Sequence, residues 1–240
     1  MNTRIKAVAA AFALAGAIGV QAAPVPVQGT WETTLQARDL NGDTVTDAYY
    51  DTALNITWLA VLMGNENRMT WSQANTWAGD LVVGAYSDWR LPSTTPGGDG
   101  SCNFGFSATN CGFNVDPNTS ELAHLYHVTL GNLSEVDTSG TTRAGSGGVD
   151  FGLANTGPFT TLFGDYYWSG TAYAPSPSDS AWYFQTNQGV QQVAGQLQQA
   201  PLALAVRPGD VATAAIPEPQ TYLLMLCGIA APLAVRRRHC

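Results

Sequence analysis

Three groups of side chains along this 240-residue chain have the types and spacing to do chemistry. Asp39, Asn41, Asp43 and Asp47 place oxygens at the first, third, fifth and ninth positions of a run, the order in which a calcium loop offers ligands to a hard cation. The match is incomplete. Gly42 stands fourth where such loops want glycine sixth, and the twelfth place is Tyr50, with Asp51 after it. The competing reading is a β-hairpin turning at Asn41-Gly42, and the two readings are compatible. Cys102 and Cys111 bracket a polar, Gly- and Asn-rich segment. A disulfide closing that loop is the expectation for an exported chain. A redox or nucleophilic pair would need a depressed thiol pKa, yet no lysine is near and CxxC spacing is absent. Glu121, His124 and His127 recur at three-residue steps and could offer zinc a carboxylate and two imidazoles. The remaining ligands would have to come from elsewhere, since the third histidine is His239 near the C-terminus and HExxH is missing. Packing or hydrogen bonding is the simpler role for both imidazoles.

Other residues bear on binding rather than reaction. Trp58, Trp71, Trp89, Trp168 and Trp182 could stack on sugars, but aromatic residues in short strands are expected in the core. Tyr173, in the Tyr-Ala-Pro-Ser-Pro run, reads as a loop residue and is the better surface candidate for ligand contact. Arg90 and Arg207 read as partners of carboxylates such as Asp88 or Asp210, because an unpaired buried charge is costly. The Gln-rich run 185–199 is expected as a plain edge hairpin, with a competing role as a strand pair offering amides to polysaccharide. No GxSxG, Walker loop or dinucleotide fingerprint appears, so the chain is not expected to be an enzyme.

The elements that must position these groups are legible in outline. Thr70-Trp71-Ser72-Gln73 has capping-box spacing, and Trp71, Ala74, Ala78, Leu81 and Val82 follow at helical period. A second helix is expected from near Asn118, through Glu121, Leu122, Leu125 and Tyr126, to a stop at Gly131. Strands are expected at Tyr49-Tyr50, Ile56–Leu59, Tyr166–Trp168, Ala181–Phe184 and Leu202–Val206. Gly97-Gly98 and Thr138–Gly148 read as loops. Two helices among many short strands predict an α+β domain.

Composition and the chain ends speak to address. Between the ends, five arginines and no lysine face 17 of the 18 carboxylates, a surface that repels phosphate backbones and argues against nucleic acid as partner. Arg4 and Lys6, the apolar stretch Ala7–Val20 and the small residues to Ala22 predict a signal peptide over 1–22, hence handling by signal peptidase and passage through the inner membrane. At the other end Pro217-Glu218-Pro219 precedes an apolar stretch, Thr221–Val235, and then Arg236, Arg237 and Arg238. At about 15 residues the stretch is short for a span, although the arginines would anchor it on the positive-inside side. This three-part order resembles the PEP-CTERM sorting signal. The resemblance implies a Gram-negative-type exporter, an exosortase that processes the tail, transient membrane insertion through the C-terminal hydrophobic helix, and association with exopolysaccharide at the cell surface, outer envelope or matrix. The expected layout is a signal peptide (1–22), a domain (23–211), a linker carrying the Pro-Glu-Pro motif (212–220), a sorting helix (221–235) and a basic tail (236–240).

The order of motifs within the domain carries a second resemblance. Tyr49-Tyr50-Asp51, Ile56-Thr57-Trp58-Leu59, Asp88-Trp89-Arg90-Leu91-Pro92, Glu121-Leu122, Tyr167-Trp168-Ser169-Gly170, Ala181-Trp182 and Ala205-Val206-Arg207-Pro208-Gly209 together resemble the DUF1566 domain, related to the C-terminal domain of the Legionella collagen-like adhesin. That resemblance covers about Tyr49 to Asp210. It implies a C-type-lectin-like fold and a role in adhesion or glycan contact, and it supplies no catalytic set. The chain departs from sugar-binding C-type lectins in lacking, within the domain, the Glu-Pro-Asn or Gln-Pro-Asp loop and Trp-Asn-Asp. The expectation is therefore an exported, non-catalytic domain that binds polysaccharide or an envelope component, with calcium as its one candidate cofactor. The alternatives are a purely structural matrix protein and, behind it, an enzyme of the formylglycine-generating or metal-dependent type.

Overall fold

The computed structural model describes residues 28–60, 68–107, 109–143, 151–198 and 201–211. The signal segment, the sorting residues Pro217, Glu218, Pro219, Arg236, Arg237 and Arg238, and the hydrophobic stretch 221–235 lie outside them. Among the described residues no helix is long and apolar enough to cross a membrane.

Among the described residues eight strands form two four-stranded sheets, and every strand pairing within them is antiparallel. The first sheet runs in the order β1 (Leu35–Arg38), β2 (Ala48–Asp51), β3 (Ile56–Leu59) and β8 (Val206–Pro208). The second runs β4 (Gly112–Phe113), β7 (Val190–Gly195), β6 (Ser180–Gln185) and β5 (Tyr166–Ala172). The helices are α1 (Trp31–Thr34), α2 (Trp71–Asp80) and α3 (Glu121–His124), the last continuing into a π-helical turn over Leu125–Thr129. The described residues are thus α+β with little helix, in keeping with the class that the patterning implies.

Local chemistry explains where the helices begin. The Thr70 hydroxyl accepts the Gln73 backbone N–H while the Gln73 side-chain Oε1 accepts the Thr70 N–H, so two orphan donors of α2 are satisfied reciprocally. Ala74 and Ala78 then meet Leu91, Trp168 and Ala203 in one apolar cluster. The second helix starts later than the sequence suggests. Asn118 is held in a turn by Asp116, and Ser120 is the cap, accepting the Ala123 N–H. Its regular part is a single turn, because Leu130 N–H reaches back five residues to the Leu125 carbonyl. Gly131 ends it at φ 71°, a conformation suited to glycine, and a Cβ there would lie 2.3 Å from the Gly29 nitrogen.

The segment expected as a strand at Leu202–Val206 instead straddles the two sheets. Leu202 exchanges backbone bonds with Tyr166 and Trp168 of β5, whereas Ala205 accepts from Leu59 and Val206 pairs with Trp58 of β3. Only from Val206 onward is it a strand of one sheet. The main core lies where this crossing meets α3 and the π-helical turn: Trp58, Tyr126, Tyr167, Phe184 and Leu204 are fully buried there. Of the five tryptophans assigned to the core, Trp58, Trp89, Trp168 and Trp182 are buried, and Trp71 is half-buried with its indole N–H on the Ser169 carbonyl.

Candidate functional site

The arginines are structural ties. Arg207 makes a two-point ion pair with Asp88 at 2.7 and 2.9 Å and also donates to the Asp210 carbonyl, while its guanidinium lies over the Tyr86 ring. Arg90 pairs with Glu121 through two 2.8 Å bonds, and Glu121 also accepts the Ser93 N–H. The Trp-Arg-Leu-Pro element is therefore clipped to the first turn of α3. Arg38 holds Asp210, and Arg68 holds Asp165. The Arg207 guanidinium keeps the Asp88 carboxyl below its ordinary range, and Glu121 raises the pKa of Arg90.

The histidine group is a core feature. Glu121 is committed to Arg90, and the π-helical turn sends His127 to pack edge-on against Tyr126 and Phe184 with Nδ1 on the Asn132 carbonyl. Burial pushes the His127 pKa down to about 4 and lowers that of His124 as well, favouring neutral rings. Among the described residues no three His, Cys, Asp or Glu side chains gather closely enough to hold a metal ion.

The Asp39–Asp47 segment is the nine-residue connection of the β1–β2 hairpin, whose strands stop at Arg38 and resume at Ala48. Asn41-Gly42 is therefore a bend inside a longer loop and not a two-residue hairpin turn. Asp39 accepts the N–H groups of Asn41, Gly42 and Thr44, Asn41 accepts that of Asp43, Asp43 that of Val45, and Asp47 that of Leu40. The Thr44 and Gly42 amides hold the Asp39 carboxyl below its usual pKa. Thr44, the sixth residue of the run, has φ 72°, the backbone that glycine supplies at that place in calcium loops.

The cysteines close a loop that borders an open cleft. Cys102 and Cys111 are joined as a disulfide with their Cα atoms 4.9 Å apart. Around this bridge the Asn110 side chain accepts the Gly97 N–H and donates to the Gly97 carbonyl, at 2.8 and 3.0 Å. Gly105 lies so close to Gly112 that a Cβ on the latter would be 2.0 Å from the Gly105 oxygen. These ties leave a solvent-open cleft of about 540 Å³ lined by Asp99, Ser101, Asn103, Ser107, Thr109, Asn110 and three glycines. Along the segment the residues alternate. Asn103, Gly105 and Ser107 line the cleft, while the intervening Phe104 and Phe106 pack on Phe113 and remain half-exposed.

Two expected surface features turn out to be props for this loop. Tyr173 is half-buried, its hydroxyl accepts the Cys102 N–H at 3.3 Å, and its ring packs edge-on against Trp182. The Gln-rich run does form a hairpin, β6–β7, but its outer strand is covered by β4 at Val190 and Gln191 and is an edge only beyond them. Gln191 is 1% exposed and donates to the Asn110 carbonyl at 2.6 Å, beneath the cleft. Its polarity serves the fold, because a buried amide needs a partner. Sequence reasoning passed over Asp99, Asn103 and Asn110, whose one signal was the Gly- and Asn-rich composition around the cysteines. Comparisons of the chain with protein families, with curated proteins and with solved structures found no match.

Proposed function

We propose that this chain is an exported surface or matrix protein, sorted by a PEP-CTERM/exosortase system, whose C-type-lectin-like domain binds polysaccharide or an envelope component without catalysing a reaction. The observation that carries the reading is a division of labour. The strongest ionic groups are spent on holding the fold, as in Arg207–Asp88, Arg90–Glu121, Arg38–Asp210 and Arg68–Asp165, while the disulfide loop presents a preformed polar cleft. In ligand sites it is a few placed polar groups that fix orientation and specificity, and this cleft is lined by such groups. The acidic, lysine-free surface suits a protein that stays solvated among glycans.

Calcium belongs to this reading as a cofactor of the Asp39–Asp47 loop, whose oxygens at Asp39, Asn41, Asp43 and Asp47 are not gathered into a cation site and would have to converge on the ion as it binds. The positive φ of Thr44 supports it.

The test is calorimetric titration of the full chain with the producing organism's exopolysaccharide, with calcium and with chelator. Saturable binding is the expected result. Loss on chelation would assign calcium a role, and binding indifferent to chelator would remove calcium from the proposal. No binding in either buffer would overturn the binding role and leave a purely structural matrix protein.

A further inference from the structure

We infer that the disulfide-loop cleft is a binding site for uncharged hexose units, so that the polysaccharide this protein takes is a neutral one. The inference rests on the glycan-binding reading above and adds to it the place and the class of sugar.

The chemistry of the lining selects the ligand. Asn103, Ser107 and Thr109 are exposed side chains that engage no partner among the described residues. Each offers both donors and acceptors, the mixture that a ring of sugar hydroxyls requires. Asp99 accepts the Ser101 N–H at 2.9 Å and is also engaged by the Ser101 side chain, and its remaining lone pairs can accept from a sugar hydroxyl. The Ser101 backbone and side-chain bonds also keep the carboxyl below its ordinary pKa, so it stays ionised at neutral pH. No lysine, arginine or histidine lines the cleft. A uronate, sulfate or phosphate would meet the Asp99 charge with no counter-charge, on a domain already strongly negative. A peptide is disfavoured for a different reason, as no large apolar side chain lines the cleft to receive its side chains. At about 540 Å³ the space lies within the range of small-ligand sites, and its opening to solvent lets a polymer run on beyond the bound unit.

The scaffold lowers the cost of binding. The Cys102–Cys111 bridge, the two Asn110–Gly97 bonds and the Gln191 prop hold the walls before any ligand arrives. Little conformational freedom is left to lose on association.

The experiment uses the full chain, isotope-labelled and purified in mild detergent. Glucose, galactose, mannose and N-acetylglucosamine are titrated separately against glucuronate and galacturonate, with the amide signals of Gly97, Gly98 and Gly105 as the readout. Saturable shifts at these glycines with at least one neutral sugar, and none with the uronates, are expected. Asn103→Ala should weaken the neutral sugar about fivefold, the loss of one net hydrogen bond. Asp99→Asn, which keeps the acceptor for the Ser101 N–H, should let the uronates bind. Silence at the three glycines with every neutral sugar would overturn the inference, as would uronates matching the neutral sugars in the unaltered chain. If the glycines are silent while the exopolysaccharide still binds in calorimetry, the site fails and the glycan-binding reading stands. If both are negative, both fail.

Discussion

Asp51 offers a sharp test of how the two halves of the core are joined. It is fully buried at the end of β2, and four donors converge on it. One oxygen accepts the Ala53 and Leu54 N–H groups of the β2–β3 turn at 2.9 and 3.3 Å. The other accepts the Trp58 indole N–H at 3.4 Å and the Thr129 hydroxyl at 3.3 Å. Asp51→Ala strands all four donors. The turn amides lie beside exposed residues and can be rewetted, but Trp58 and Thr129 are fully buried. Counting ~1 kcal/mol for each turn bond and 1–2 kcal/mol for each stranded buried donor, less the relief of no longer burying a charge, the loss is about 4 kcal/mol. Asp51→Asn keeps the oxygen that serves the turn and sets an amide N–H against the Trp58 N–H, while the Thr129 hydroxyl can rotate to accept. One donor is stranded, for about 2 kcal/mol. Urea unfolding followed by circular dichroism measures both, and Thr129→Val in each background gives the coupling. An Asn variant as stable as the parent would refute the reasoning, and so would an Ala variant less damaged than the Asn variant.

Three further outcomes follow from the same structure. His127 has its pKa lowered from its ordinary value to about 4 in the folded chain, so the unfolded chain binds its proton more readily. Its contribution to stability is complete above about pH 6.5 and is lost as pH falls toward 4, by up to ~3 kcal/mol, and His127→Phe should flatten that part of the unfolding profile. Replacing Cys102 and Cys111 by serine opens a loop with sequence separation 9. The expected loss is about 2.5 kcal/mol on loop-closure entropy, read as a lower denaturant midpoint, and unchanged stability would deny the bridge its role. Gly131→Ala places a Cβ against the Gly29 backbone at a positive φ. It should cost at least ~2 kcal/mol by thermal unfolding, whereas Gly98→Ala, where a Cβ meets open space at a similar φ, should cost less.

What could be read from the chain was local. The capping box at Thr70 and Gln73 lies within one turn, so the residues that form it also announce it. The β2, β3, β5 and β6 strands were legible because β-branched and aromatic residues cluster there between turn residues. That Arg207 would be paired was accessible too, since a buried cation beside proline must find a carboxylate, and Asp88 was one of the two candidates named for it. Arg90, by the same logic, was expected on a carboxylate such as Asp88 or Asp210, and its partner in the fold is the carboxylate of Glu121.

Tertiary structure decided everything that depends on where distant segments meet. Leu202–Val206 has strand composition, but its register is divided between β5 and β3, and composition carries no information about two partners. Gln191 looks like a surface amide until β4 covers its strand and the Asn110 carbonyl takes its proton. Tyr173 reads as an exposed loop aromatic until the disulfide loop lays the Cys102 amide on its hydroxyl. The polar residues between the cysteines marked a loop, and only the crossing of that loop over Gly97, Gly112 and β7 turned it into a cleft. Sequence by itself determined the export and sorting expectations, the α+β class and the capped helix, because each rests on neighbours within a few residues. The sheet order, the fate of each buried polar group and the candidate site came from long-range contacts, whose energies exist only once the chain has closed on itself.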